Sequence, residues 1–155
     1  MNWFDANDLC KTEGGKLAEI DSKEENTALV EEMIKQGYTW KNMHFWMGLT
    51  DRGSEGDRRL KSNDMEPSFT KLGPSEPNNG PGSLLKDEKC AKLGGRVGNW
   101  NDVDCFMNTT KIGIKKSLHA LCEFEDSVES SSTVNPLVEG SKNEKLEDYS
   151  ICFSV

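Results

Sequence analysis

Ser75-Glu76-Pro77-Asn78-Asn79, followed downstream by Glu88-Lys89-Cys90 and Trp100-Asn101-Asp102, is the stretch from which the rest of this 155-residue chain can be read. Glu76 and Asn78 set a carboxylate and a carboxamide on either side of a proline. Glu88 adds a second carboxylate, and Asn101 with Asp102 a second amide and a third carboxylate. All five side chains end in hard oxygen donors, with neither imidazole nor thiolate among them. That is the donor set of Ca²⁺, which takes about 6 to 8 oxygens at about 2.3 to 2.6 Å. Zinc would call for His or Cys. With three carboxylates in the set, protons compete with the ion, so binding should weaken as pH falls toward carboxylate pKa values.

Three of these donors, Glu76, Asn78 and Glu88, lie within a long run, from Leu49 to Cys90, that carries little periodic signal. A structureless run of that length in a compact domain is expected to be functional. It needs an organiser, and a metal ion with disulfides nearby is a sufficient one. The chain has five cysteines and no Cys-x-x-Cys, which turns the reading from zinc ribbons and thioredoxin-like motifs toward disulfides and an oxidising compartment.

Upstream, two helices are punctuated. Asn2 can cap the first, which carries Trp3, Ala6, Leu9 and Cys10 along one side and stops at Gly14-Gly15. Ser22-Lys23-Glu24-Glu25 reads as a capping box for the second, with Leu29, Val30, Met33 and Ile34 as its apolar stripe and Gly37 at its end. Candidate strands follow at Phe45 to Leu49, Cys90 to Leu93, Val97 to Trp100 and Leu118 to Phe124. The layout is α+β with helices first. Trp46 and Trp100, lying in strand patterns, read as core residues.

The net charge of −8 and the lack of a long apolar run argue against a phosphate-backbone binder and a membrane-spanning helix. Seven of the 27 acidic residues but only two of the 19 basic ones fall after Phe124. Residues 125–155 therefore read as an acidic, disordered tail behind a domain of residues 1–124, with a short ordered segment around Leu146, Tyr149 and Ile151 as the alternative. His44 and His119 show no metal spacing and are assigned to structure or solvent, and Arg58-Arg59 to a solvated turn. Asn108-Thr109-Thr110 is a glycosylation sequon. Cys152 stands at the prenylation position, but Ser154 is not aliphatic and the tail is acidic, so it is read as an odd thiol through which two chains could be joined as a homodimer.

Taken in order, Cys10, Gly14-Gly15, the capped second helix, Phe45-Trp46-Met47-Gly48-Leu49, Glu76-Pro77-Asn78, Cys90, Trp100-Asn101-Asp102, Cys105 and Cys122-Glu123-Phe124 resemble a C-type lectin domain. The resemblance implies a C-type lectin-like fold of two helices with small antiparallel sheets and a long calcium-organised loop. It also implies disulfides Cys10 to Cys122 and Cys90 to Cys105, and a cis peptide bond between Glu76 and Pro77. Calcium would be held by Glu76, Asn78, Glu88, Asn101 and Asp102, and the same five would bind sugar: each coordinated hydroxyl gives its hydrogen to a carboxylate and accepts one from an amide. In the family Glu-Pro-Asn goes with mannose-type sugars and Gln-Pro-Asp with galactose.

The departures carry expectations too. Asp51 and Glu55 match ligands of an auxiliary calcium site, but Asn79 and Lys89 replace two of its acids. Leu72 replaces a usual tryptophan, and the loop between Glu76 and Cys90 is longer than in mannose-binding members. The strand that normally precedes the first helix and pairs with the last strand is not expected in this sequence, nor is a signal peptide recognisable. The chain is read as a secreted, calcium-dependent, mannose-binding lectin and not an enzyme. The alternative is a domain of the same fold that binds a protein or other non-sugar ligand, with calcium structural or absent.

Overall fold

The computed structural model describes residues 1–39, 41–42, 44–53, 56–74, 76–77, 88–94, 98–107, 118–125 and 149–152. Helix α1, Trp3–Thr12, opens on a capping box in which Asn2 Oδ1 accepts the N–H of Asp5 and Asp5 Oδ2 accepts that of Asn2. Helix α2, Lys23–Lys35, has Ser22 Oγ accepting the N–H of Glu25, but Glu25 reaches one residue further back, to the N–H of Asp21 at 2.9 Å. Gly37 takes a φ of +91° just past the helix end, as its place in the sequence requires.

The strands are β1 (Lys16–Leu17), β2 (His44–Thr50), β3 (Arg59–Leu60), β4 (Cys90–Gly94), β5 (Trp100–Val103), β6 (His119–Glu123) and β7 (Tyr149–Cys152). They form one mixed sheet in the order β1-β6-β2-β4-β5, with β3 against β2 and β7 against β6. The α+β layout with two helices stands as expected; in place of small antiparallel sheets there is one mixed sheet, in which β2 and β6 run parallel, Phe45 opposite His119 and Trp46 opposite Ala120. The third candidate strand, Val97 to Trp100, also shifts. The strand begins at Trp100 and continues through Asn101 and Asp102, while Val97 lies outside the described residues.

The sheet separates two apolar layers, and the alternation along β2 assigns its residues between them. Phe45, Met47 and Leu49 pack with Leu29, Val30 and Met33 of α2, with Leu93, Trp100 and Leu121. Trp46 faces the other layer with Trp3, Ala6 and Cys10 of α1, Leu17, Val103 and Ala120. Trp3, Trp46 and Trp100 are at most 2% exposed, so the aromatic residues read as core are core. At about 25 cal/mol/Å², burying one such indole is worth roughly 4 to 6 kcal/mol before entropy is counted. Disulfides Cys10–Cys122 and Cys90–Cys105 cross-link the apolar layer that holds α1, in the expected pairing.

Strand β7 falls on the short ordered segment that is the alternative reading of the tail. Tyr149 stands opposite Glu123, Ile151 opposite Leu121 and Cys152 opposite Ala120, so these four residues belong to the sheet and Cys152 is not outside the domain. The outer edge of β6, where the resemblance implies a strand from before α1, is lined by this C-terminal segment. Tyr and Ile are residue types that favour strands, and β6 offers unpaired backbone groups along that edge. Residues 126–148 and 153–155, with the sequon at Asn108, lie outside the described residues.

Candidate calcium and ligand site

Strand β5 places two of the predicted donors. Its register against β4 sets Leu93 opposite Trp100, Lys92 opposite Asn101 and Ala91 opposite Asp102. Side chains alternate accordingly: Trp100 and Asp102 are buried, at 2% and 5% exposure, and Asn101 between them is half-exposed. The Asn101 amide donates to the backbone carbonyl of Asp102 at 2.8 Å. Disulfide Cys90–Cys105 joins the start of β4 to the residues just past β5 and holds this hairpin shut.

The long loop is tied to the same strand. Trp100 donates its N–H to the carbonyl of Lys71 at 2.7 Å and accepts from Gly73 at 3.0 Å, making a parallel bridge at Leu72. Leu72, found where a tryptophan is usual, packs half-buried against the core. The Glu76 N–H then closes a turn onto the Gly73 carbonyl at 3.0 Å, and a Cβ on Gly73 would stand 3.3 Å from Glu76 Cγ. Glu76 is thus brought beside the strand that bears Asn101 and Asp102, and Glu76-Pro77 is cis, as the resemblance implies.

Asp51, Glu88 and Asp102 line one cavity of about 10 Å³, with Arg58, Lys89 and Leu72 on its walls. These carboxylates are 4%, 9% and 5% exposed. The Lys89 carbonyl accepts both the Thr50 hydroxyl, at 2.7 Å, and the Asp51 N–H, at 3.1 Å, which fastens Glu88 and Lys89 to the end of β2. Asp51 Oδ2 accepts the Gly56 N–H at 3.2 Å. Arg58 is therefore no solvated turn residue. Sequence reasoning missed it because a half-buried arginine beside acids has no local pattern. Its neighbour Arg59 is in β3 and pairs with Asp57 at 2.7 Å.

Of the predicted ligands, the structure brings Glu88 and Asp102 to one cavity with Asp51; Asn101 precedes Asp102 on β5 and Glu76 is joined to that strand through Gly73, and neither lines the cavity. Asn78 and Glu55 lie outside the described residues. Among the described residues no three or more His, Cys, Asp or Glu side chains are gathered closely enough to hold a metal ion. The donors present still fit calcium in kind. They are oxygen ligands, three carboxylates against two cations line the cavity, and a space of this volume is about what one water or ion occupies. His44 is buried on β2 and His119 lies on β6, neither of them among the residues lining this cavity.

The Lectin C-type domain family matches residues 1–112 of the chain. A perlucin-like protein of the mussel Mytilus galloprovincialis is 34% identical over 113 residues, covering 72% of this chain and 67% of the mussel protein. The human CD209 antigen is 32% identical over 127 residues, 81% of this chain but 28% of its own length. This chain thus spans well under half of that relative. Among solved structures, the cow C-type carbohydrate-recognition domain of CD23, crystallised in the presence of a GlcNAc2Man3 oligosaccharide, superposes with a TM-score of 0.52. It shares 27% identity over 68% of this chain and 71% of that one.

Proposed function

The chain belongs to the C-type lectin domain family, and from that premise we propose that it binds mannose-type sugars in a calcium-dependent manner at the Glu76, Asn78, Glu88, Asn101 and Asp102 site. The family is one of non-enzymatic binding domains, and the relatives include carbohydrate-recognition domains. What supports the finer reading is the donor set itself: Glu76 is tied by the Lys71 to Gly73 bridge to the strand carrying Asn101 and Asp102, and Glu88 and Asp102 line one cavity of ion size.

Calcium, when bound there, would supply a positive centre to which two neighbouring sugar hydroxyls can coordinate. The residues of the chain do the discriminating. The carboxylates of Glu76 and Glu88 accept hydroxyl hydrogens, and the amides of Asn78 and Asn101 donate to hydroxyl oxygens. Glu before and Asn after the proline present one acceptor and one donor in the order that goes with equatorial 3- and 4-hydroxyls, the mannose arrangement. Placement of the protein outside the cell agrees with its two disulfides; among the described residues no helix is long and apolar enough to cross a membrane. Calorimetric titration of mannose and galactose, each with calcium and with chelator, tests the proposal. Heat from mannose in calcium alone is the expected result.

A further inference from the structure

We propose that strand β7 is a strap that positions the Glu76 loop, and that Tyr149 is its working contact; only the calcium arm of the test below rests on the function just proposed. The Tyr149 hydroxyl donates to Glu25 Oε1 at 2.5 Å. Glu25 is 8% exposed at the start of α2, and its other oxygen accepts the N–H of Asp21 at 2.9 Å. The Asp21 carbonyl accepts the hydroxyl of Ser68, in the long loop, at 3.0 Å. Next along that loop, the Phe69 ring stands edge-on to Trp100 with centroids 5.5 Å apart. Lys71 and Gly73 pair with the Trp100 backbone, and Glu76 hangs on Gly73.

A second attachment leaves the same turn of α2. Asn26, next to Glu25, accepts the indole N–H of Trp100 at 2.8 Å. Tyr149 therefore grips the point from which both tethers of the ligand loop depart. A phenol donating to a carboxylate makes a charge-assisted bond, stronger than a neutral one. Burial, together with the Glu25 carboxylate, pushes the Tyr149 phenol far above its ordinary pKa, so it remains a donor at any physiological pH.

Coupling of this kind must be shown by energetics and not by adjacency alone. Amide hydrogen exchange on the full chain without calcium, for the wild type, Tyr149→Phe, Ser68→Ala and the double variant, provides it. Tyr149→Phe removes one oxygen from a half-buried ring, a small change that keeps the packing. We expect exchange at Gly73, Glu76 and Trp100 to rise about threefold to tenfold while α1 amides stay as in the wild type. The double variant should do no more than the larger single one. Unchanged loop exchange, an equal rise in α1, or additive single effects would each overturn the strap. In calcium titrations the same variants should bind several-fold more weakly. A wild type that takes no calcium while its loop amides respond as stated would sink the ligand site and leave the strap standing.

Discussion

The indole N–H of Trp100 donates to the side-chain oxygen of Asn26 at 2.8 Å, and the amide of Asn26 donates to the Gly98 carbonyl at 3.3 Å, all three residues being buried. One fully buried side chain on α2 thus satisfies both ends of the segment leading into β5, the strand that bears Asn101 and Asp102. The approach is close enough to require glycine: Gly98 has a φ of +67°, and a Cβ there would fall 2.3 Å from Val30 Cγ2.

Asn26→Ala should therefore cost about 2 to 4 kcal/mol, since two buried polar groups lose their partner at once. Urea unfolding measures it, and a loss below about 1 kcal/mol would mean that water or a rearranged side chain replaces the amide.

The pair Glu76→Gln with Asn78→Asp should move preference from mannose toward galactose while calcium is retained. The exchange swaps acceptor and donor across the proline and leaves the ligand charge as it was. Competition by the two free sugars against an immobilised glycan reads the preference. Loss of calcium affinity, or mannose preference unchanged, would count against the assigned roles.

The Cys10–Cys122 disulfide joins residues 112 apart in sequence. In the chain-entropy account, closing a loop of that size restricts the unfolded state by about 4 to 5 kcal/mol. Cys10→Ser with Cys122→Ser should then lower the urea midpoint sharply, whereas Cys90→Ser with Cys105→Ser, which spans 15 residues, should cost less globally and more in calcium affinity. The opposite ranking would contradict the division of labour between the two bridges.

Burial holds the His119 imidazole below its ordinary pKa. The unfolded chain takes up that proton at the ordinary value of about 6.5, so just below it the unfolded state binds more protons and stability falls with falling pH. His119→Gln should remove this contribution. Urea midpoints measured from pH 7.5 down to 5 should drop more steeply in the wild type than in the variant, and parallel curves would refute it.

Much of this was legible in the residues. Asn2, Ser22 and Gly37 mark helix ends through backbone chemistry that is local, and local rules survive folding. The pairing of four cysteines and the cis bond before Pro77 were not deducible from spacing and came from the family resemblance. What escaped was decided by distant partners. Strands β1 and β3 have two residues each, too few to show a period, and exist because β6 and β2 lie beside them. Arg58 meets Asp51, Glu88 and Asp102 only after the chain has closed on itself. Strand β7 sits in a segment whose acidic, Ser-rich composition reads as disorder, and only the edge of β6 gives Tyr149 and Ile151 something to pair with.

The Glu76, Asn78, Glu88, Asn101 and Asp102 set is proposed to bind sugar through calcium. The most direct measurement passes the full chain over a mannan matrix in calcium, then washes with galactose, then with a chelator. Retention through the galactose wash and release by the chelator are expected, with Asp102→Asn and Glu88→Gln each passing unretained. Passage of the wild type without retention in calcium, or retention that survives the chelator, would contradict it.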